Sequence, residues 1–307
     1  TNVSNMEKIT LAATASSSIT TGGAFNSAFA NGVDITAAAL ANEKTFTYAG
    51  GLYGQDTTIA LTTSSVADAA AEDITVTTGA GADTVTVTAS SWLGAGGAGG
   101  SIIVNTRAGD DTITVTHGAL LANTTDQAVT INPGSGADSI TLTAGATNGA
   151  GATAFDIITI VDGDSLVGSR DKITNFTLGG AIASDYADVL DFDTATIGTL
   201  GTTVDFGTIM SHSISGGVAT FDDVATHTTA LIINSANLAD VLGYIETNTA
   251  ANDVVAFVYD STGSGAADAT MVFHNDTNNS LVELVGVTTA TSAATTADTG
   301  AMIGIGA

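Results

Sequence analysis

Four aspartates stand two residues after a glycine, and their type and spacing suit them to bind a hard cation. Gly54 precedes Asp56, Gly81 precedes Asp83, Gly109 precedes Asp111 and Gly136 precedes Asp138. The aspartates fall at intervals of 27, 28 and 27 residues, and the register runs upstream more faintly through Gly32 and Asp34 to Glu7. Glycine reaches backbone conformations that turn carbonyls towards a cation, and the aspartate supplies an anionic oxygen beside them. One such turn cannot furnish the roughly six to eight oxygens that calcium takes. Two turns stacked on each other can, with Asp83 and Asp111 contributed by neighbouring rungs. Magnesium fits less well, because it demands strict octahedral geometry and keeps its waters.

Stacking of this kind requires a repeated element. Each aspartate opens a run that alternates Thr or Ser with Val, Ile or Leu, such as TTIAL, TVTVT, TITVT and SITLT. A second run follows in each period: 101–105, 127–132 and 156–161. Alternation of apolar and small polar residues is the pattern of a strand with one buried face. Two strands in about 27 residues, repeated at constant period, predict a parallel β-solenoid over 1–165 with coils about 4.8 Å apart. The segments between the two strands, 91–100 and 117–126, vary in length and composition and map to one variable face.

Composition agrees with a thin, sheet-like core. Hydrophobic residues make up 44% of the 307 residues, yet aromatics are only 5% and there are 36 glycines, which points to strands and tight turns and away from disorder. Five Lys plus Arg against 31 Asp plus Glu give a net charge of −26. That excludes nucleic acid and anionic membrane surfaces as natural partners. It also calls for neutralisation, which bound divalent cations supply. Cysteine is absent, so disulfides and thiolate chemistry are excluded. No apolar run of about 18 residues is present to insert in a membrane as a helix. The chain opens at Thr1 in what reads as the middle of a repeat, so it is taken as the C-terminal part of a longer polypeptide.

The periodicity fades after residue 165, where serine stands in the place of aspartate. The segment 166–307 is expected to be a mixed β cap that closes the open solenoid edge. Leu238, Val241, Leu242 and Ile245 predict one short amphipathic helix with Ser235 as N-cap. Strands are expected over 254–259, 270–274 and 281–287.

The turns TGAGADTVT, TRAGDDTIT and PGSGADSIT resemble degenerate copies of the nonapeptide G-G-x-G-x-D-x-U-x of haemolysin-type (RTX) calcium-binding proteins. Gly81, Gly109 and Gly136 keep the fourth position and Asp83, Asp111 and Asp138 the sixth, with Val85, Ile113 and Ile140 at the eighth. The second glycine is kept as Gly79 and Gly134 but is Arg107 in the middle copy, and the first is Thr78, Thr106 or Pro133. One motif per 27 residues, instead of one per nine, implies a single calcium-bearing edge. The candidate ligand set is thus Gly54, Asp56, Gly79, Gly81, Asp83, Gly109, Asp110, Asp111, Gly134, Gly136 and Asp138.

GSRDKITNFTLGG, DVLDF, VVAFVYDSTG, ATMVFH and LVELVGVTT resemble the C-terminal region of type I secreted proteins of this group, in which the secretion signal is uncleaved. The Thr/Ala/Gly-rich, Cys-free, Lys-poor composition and the opening VSNMEKITL are similar to bacterial surface-layer (S-layer) proteins of the RTX type, including that of Caulobacter. This resemblance implies a secreted structural protein that folds where calcium is millimolar and self-assembles into a lattice at the bacterial cell surface. It leaves room for a cell-surface polysaccharide anchor N-terminal to Thr1. The alternative is the stalk and secretion module of an RTX adhesin, or of a secreted enzyme whose catalytic domain lies upstream.

Other chemistries are poorly served. HExxH and GxSxG are absent from the sequence, and Asp298-Thr299-Gly300, the aspartic-protease tripeptide, sits in a small-residue tail. His117, His212, His227 and His274 lack ligand spacing and are expected in turns or at the surface. Trp92 is expected to be partly buried against its loop. Asp162 and Asp164, with Asp191 and Asp193, either hold a further ion or are ordinary loop carboxylates in water. The chain is accordingly read as non-enzymatic.

Overall fold

The computed structural model describes residues 8–12, 14–40, 44–63, 73–89, 101–117, 127–143, 154–179, 188–201, 204–295 and 302–306. Glu7, Trp92, the insertions 91–100 and 118–126, and residues 298–300 lie outside them. The chain divides into two compact units, Thr1–Thr159 and Ile160–Ala307.

The first unit is a parallel β-solenoid. One face carries β1 (Lys8–Thr10), β3 (Val33–Leu40), β5 (Thr57–Thr63), β7 (Thr84–Ala89), β9 (Thr112–His117) and β11 (Ser139–Thr143), in that spatial order. The other carries β2 (Ser17–Thr20), β4 (Phe46–Ala49), β6 (Ile74–Thr77), β8 (Ile102–Asn105), β10 (Gln127–Asn132) and β12 (Ala154–Ile160). The six-residue helix α1 (Gly23–Ala28) joins β2 to β3 and was not expected from the sequence.

The alternation seen in the sequence builds the core. Ile59, Val85, Ile113 and Ile140 form one inward column, and Leu61, Val87, Val115 and Leu142 the next, each at most 2% exposed. The second face adds Phe46, Ile74, Ile102 and Val129, and beside them Tyr48, Val76, Val104, Ile131 and Ile158. Because the side-chain period of a strand is two, this burial fixes the register of every coil.

One inward position departs from the pattern. Asp156 of β12 aligns with Val129 in the apolar column, is buried, and meets the buried His117 at 3.0 and 3.2 Å through its two carboxylate oxygens. His117 is therefore an interior residue and not the turn or surface residue expected; the hydrogen bond between them lets both polar groups occupy the core.

The second unit is mixed. Its larger sheet runs β13 (Asp171–Thr174), β20 (Ser280–Val285), β19 (Ala269–Asn275), β18 (Asp253–Tyr259), β17 (Val218–Asp222) and β16 (Ser211–Ser215), with β15 (Thr196–Ile197) on β18. A smaller sheet joins β14 (Val189–Phe192), β22 (Met302–Gly306) and β21 (Ser292–Thr295). The helix α2 (Leu238–Asn248) lays Val241, Tyr244 and Ile245 against Val255, Phe257, Met271 and Phe273. Its apolar stripe is as the sequence predicts, but the cap is not. Asn237 occupies the N-cap position, and Ser235 lies exposed in the turn before it, where the Asn237 side chain accepts the Asn234 amide at 2.9 Å.

Candidate metal-binding turns

In the solenoid the Gly-x-Asp segments link the second face back to the first. Strand pairing brackets residues 78–83, 106–111 and 133–138 between the same partners, so three six-residue turns superpose residue on residue. Asp83, Asp111 and Asp138 fall in one column and are each 1% exposed. They do not face solvent. Asp83 Oδ1 accepts the Thr57 amide at 2.6 Å, Asp111 Oδ1 the Asp83 amide at 2.7 Å, and Asp138 Oδ1 the Asp111 amide at 2.7 Å. Each carboxylate thus caps a backbone donor of the preceding coil that a strand-to-strand ladder leaves over.

The glycines are explained by the same stacking. Gly109 has φ 132° and Gly136 φ 150°, where L-residues are strained. A Cβ on Gly109 would lie 2.0 Å from the Gly81 carbonyl oxygen, and one on Gly136 1.8 Å from that of Gly109. Gly79 and Gly134 are hemmed in likewise, by the carbonyl oxygens of Tyr53 and Arg107. The departures from the nonapeptide also have reasons. Thr78 donates its hydroxyl to the Thr106 carbonyl at 3.1 Å, and Thr106 donates to that of Pro133 at 2.8 Å, so threonine at the first position ties coil to coil. Arg107 accepts a left-handed φ of 69°, and its guanidinium lies over Gly51.

Asp56 and Gly54 do not join this column. Eight residues, 50–57, separate Ala49 from Thr58 where six separate their partners Thr77 and Thr84, and this places Thr57, the first residue of β5, opposite Asp83. Asp56 is exposed and accepts the Ala82 amide at 3.0 Å; Asp110 is exposed and accepts the Ala137 amide at 3.0 Å. A second, outer set of carboxylates therefore occupies alternate coils, with Ala82 between Asp56 and Asp110. Gly54 has open space where a Cβ would be.

Burial raises the Asp83 carboxyl above its usual range, against hydrogen bonds that lower it. It pushes Asp111 up to about 6, with the neighbouring Asp83 and Asp110 charges adding to the effect. The Oδ2 atoms of Asp83 and Asp111 are buried and receive no hydrogen bond. The Thr57, Thr78 and Thr106 hydroxyls and the Gly79 amide lie near enough to favour the charged forms, but the Thr78 and Thr106 protons go to carbonyls of the next coil. Two hard oxygens one coil apart, neither closing a hydrogen bond, suit a calcium ion that completes its shell from turn carbonyls. Among the described residues no group of three Asp, Glu or His side chains is arranged to hold a metal.

In the second unit Asp162 and Asp164 come together with Asp193. Asp162 accepts the Asn278 amide at 3.1 Å and its side-chain amide at 3.0 Å. Burial raises the Asp164 carboxyl, with Asp193 and Asp162 adding to it, and burial also raises Asp191. His274, 2% exposed and stacked on Phe192 at 4.8 Å, is held below the usual imidazole range by desolvation despite these carboxylates. It too is interior, contrary to the sequence expectation.

Comparison of the chain with protein-family models, with curated proteins and with solved structures finds no match to any of them.

Proposed function

We propose that this chain is a non-enzymatic structural protein of the bacterial cell exterior, whose solenoid folds on calcium and then self-assembles into a surface layer. The observation that carries the reading is the column of buried carboxylates at Asp83, Asp111 and Asp138, in which Asp83 and Asp111 each keep one oxygen without a donor. Like charges stacked about one strand spacing apart in the interior repel and lose hydration, which costs several kcal/mol per ion unless a counter-charge is present. Calcium supplies that counter-charge when bound.

The chain's own residues do the rest. One oxygen of each aspartate fixes the preceding coil through an amide, and in Asp83 and Asp111 the other is left for the cation, so ion binding and coil stacking become a single event. With a net charge of −26, the calcium-poor cytoplasm favours an extended, secretable chain. Extracellular calcium matches sites with dissociation constants on the order of 10⁻⁴–10⁻³ M.

Negative-stain microscopy of the purified chain with millimolar calcium and with EDTA tests the assembly. Ordered two-dimensional sheets in calcium alone support a surface layer. Monomers at high protein concentration in calcium overturn it and leave the stalk of an adhesin or secreted enzyme as the reading.

A further inference from the structure

The outward side of the first solenoid face presents a regular grid of threonines. β7, β9 and β11 each carry hydroxyl residues at every outward position, and strand pairing holds them in register. Thr84, Thr112 and Ser139 form one column and Thr86, Thr114 and Thr141 the next. The third column, beginning at Thr88, is again all threonine. Their inward neighbours Val85, Val87, Ile113 and Val115 are fully buried, so the hydroxyl residues form the outer surface. None of the nine grid positions carries a charge, in a chain whose net charge is −26.

We propose that this grid binds an ice-like layer of ordered water and, through it, the surface of an ice crystal. Columns are separated by about 6.7 Å along a strand and rungs by about 4.8 Å between strands. Those two repeats lie close to the two repeats of oxygen rows on a prism face of hexagonal ice. Threonine is stiff at χ1, so each copy offers one hydroxyl and one methyl in a restricted set of orientations. Absence of charge matters because an ionic group organises water around itself and not into a flat lattice. Strand propensity alone does not demand this surface. The opposite face has the same propensity requirement but interrupts its corresponding column, Thr75, Ile103, Thr130 and Ile157, with isoleucine, and Ile103 is 41% exposed.

The inference rests on the solenoid alone, not on surface-layer assembly. The test is thermal hysteresis and inhibition of ice recrystallisation by the full chain in calcium, with circular dichroism to verify that each variant is folded. The wild type is expected to facet ice crystals. Thr114→Lys, at the grid centre, is expected to lose most of that activity, whereas Thr75→Lys on the opposite face keeps it. A folded wild type that leaves ice growth as an inert protein of equal concentration does overturns the proposal. So does equal loss in both variants, or a concentration-dependent dimer that Thr114→Lys dissolves without any effect on ice. Failure to form sheets in calcium, with ice activity retained, defeats the surface-layer reading and leaves this one standing.

Discussion

Asp111 caps the backbone amide of Asp83 at 2.7 Å across two adjacent coils, although both carboxylates are themselves buried and both are held above the usual carboxylate range. The same side chain thus secures the stack and charges its interior.

Removing the cap should cost stability. Asp111→Ala leaves the Asp83 amide buried without an acceptor, at about 1–3 kcal/mol. Asp111→Asn keeps an acceptor of the same shape and is expected to retain most of the calcium-free stability. Urea unfolding in EDTA separates the two variants. In calcium the order changes, because Asn lacks the charge that draws the ion, and its gain on adding calcium should be smaller than that of the wild type.

The pH dependence of the metal-free protein follows from the same group. Asp111 moves from an ordinary 3.8 to about 6 on folding. A carboxyl whose folded value is raised binds its proton more tightly when folded. Its contribution is greatest below about pH 4 and is lost as pH rises through about 6, a difference worth ~3 kcal/mol. Asp83 acts in the same direction. The buried His274, with its value lowered, opposes them by losing stability as pH falls. The difference between wild type and Asp111→Asn isolates the Asp111 part. Urea midpoints in EDTA should fall from pH 4.5 to pH 7.5 more steeply in wild type, and parallel curves would count against a buried titrating Asp111.

Close stacking predicts the cost of a methyl group. Gly136→Ala places a Cβ on the Gly109 carbonyl at a φ of 150° and should destabilise by about 1–3 kcal/mol or pry the coils apart. Gly54→Ala, with open space around it, should be close to neutral. Thermal melts in calcium compare them.

The interior contact between His117 and Asp156 makes a further prediction. His117→Leu removes the imidazole from beside the buried Asp156 carboxyl and should cost at least about 1–3 kcal/mol, the penalty for a buried polar group that loses its partner. The double variant His117→Leu with Asp156→Val continues the apolar column of Val129 and should recover most of it, as a double-mutant cycle would reveal.

Much of the solenoid was legible because inward Val and Ile alternate with outward Thr and the three six-residue turns 78–83, 106–111 and 133–138 repeat the pattern. Spacing shows which residues stack. It does not show which way they point. The aspartate period therefore identified Asp83, Asp111 and Asp138 as a column but gave no sign that their carboxylates turn inward to amides. Asp56 kept the count of 27 by coincidence, since its longer turn moves the register by one residue and puts Thr57 in the column. His117 and Asp156, 39 residues apart, meet only because the coil closes. The one hint was an acid at an inward position of an otherwise apolar strand. The helix α1 has too few residues to show a period.

The caps also give the solenoid an arrow. Thr57 depends on Asp83, Asp83 on Asp111 and Asp111 on Asp138, always the earlier coil on the later one. Peeling from the β1 end returns a carboxylate to water, where it is well hydrated, and leaves every remaining amide capped. Peeling from the β11 end exposes a buried donor at each step. The stack should therefore fray preferentially from its first coil, and hydrogen exchange at the Thr57, Asp83 and Asp111 amides should slow in that order.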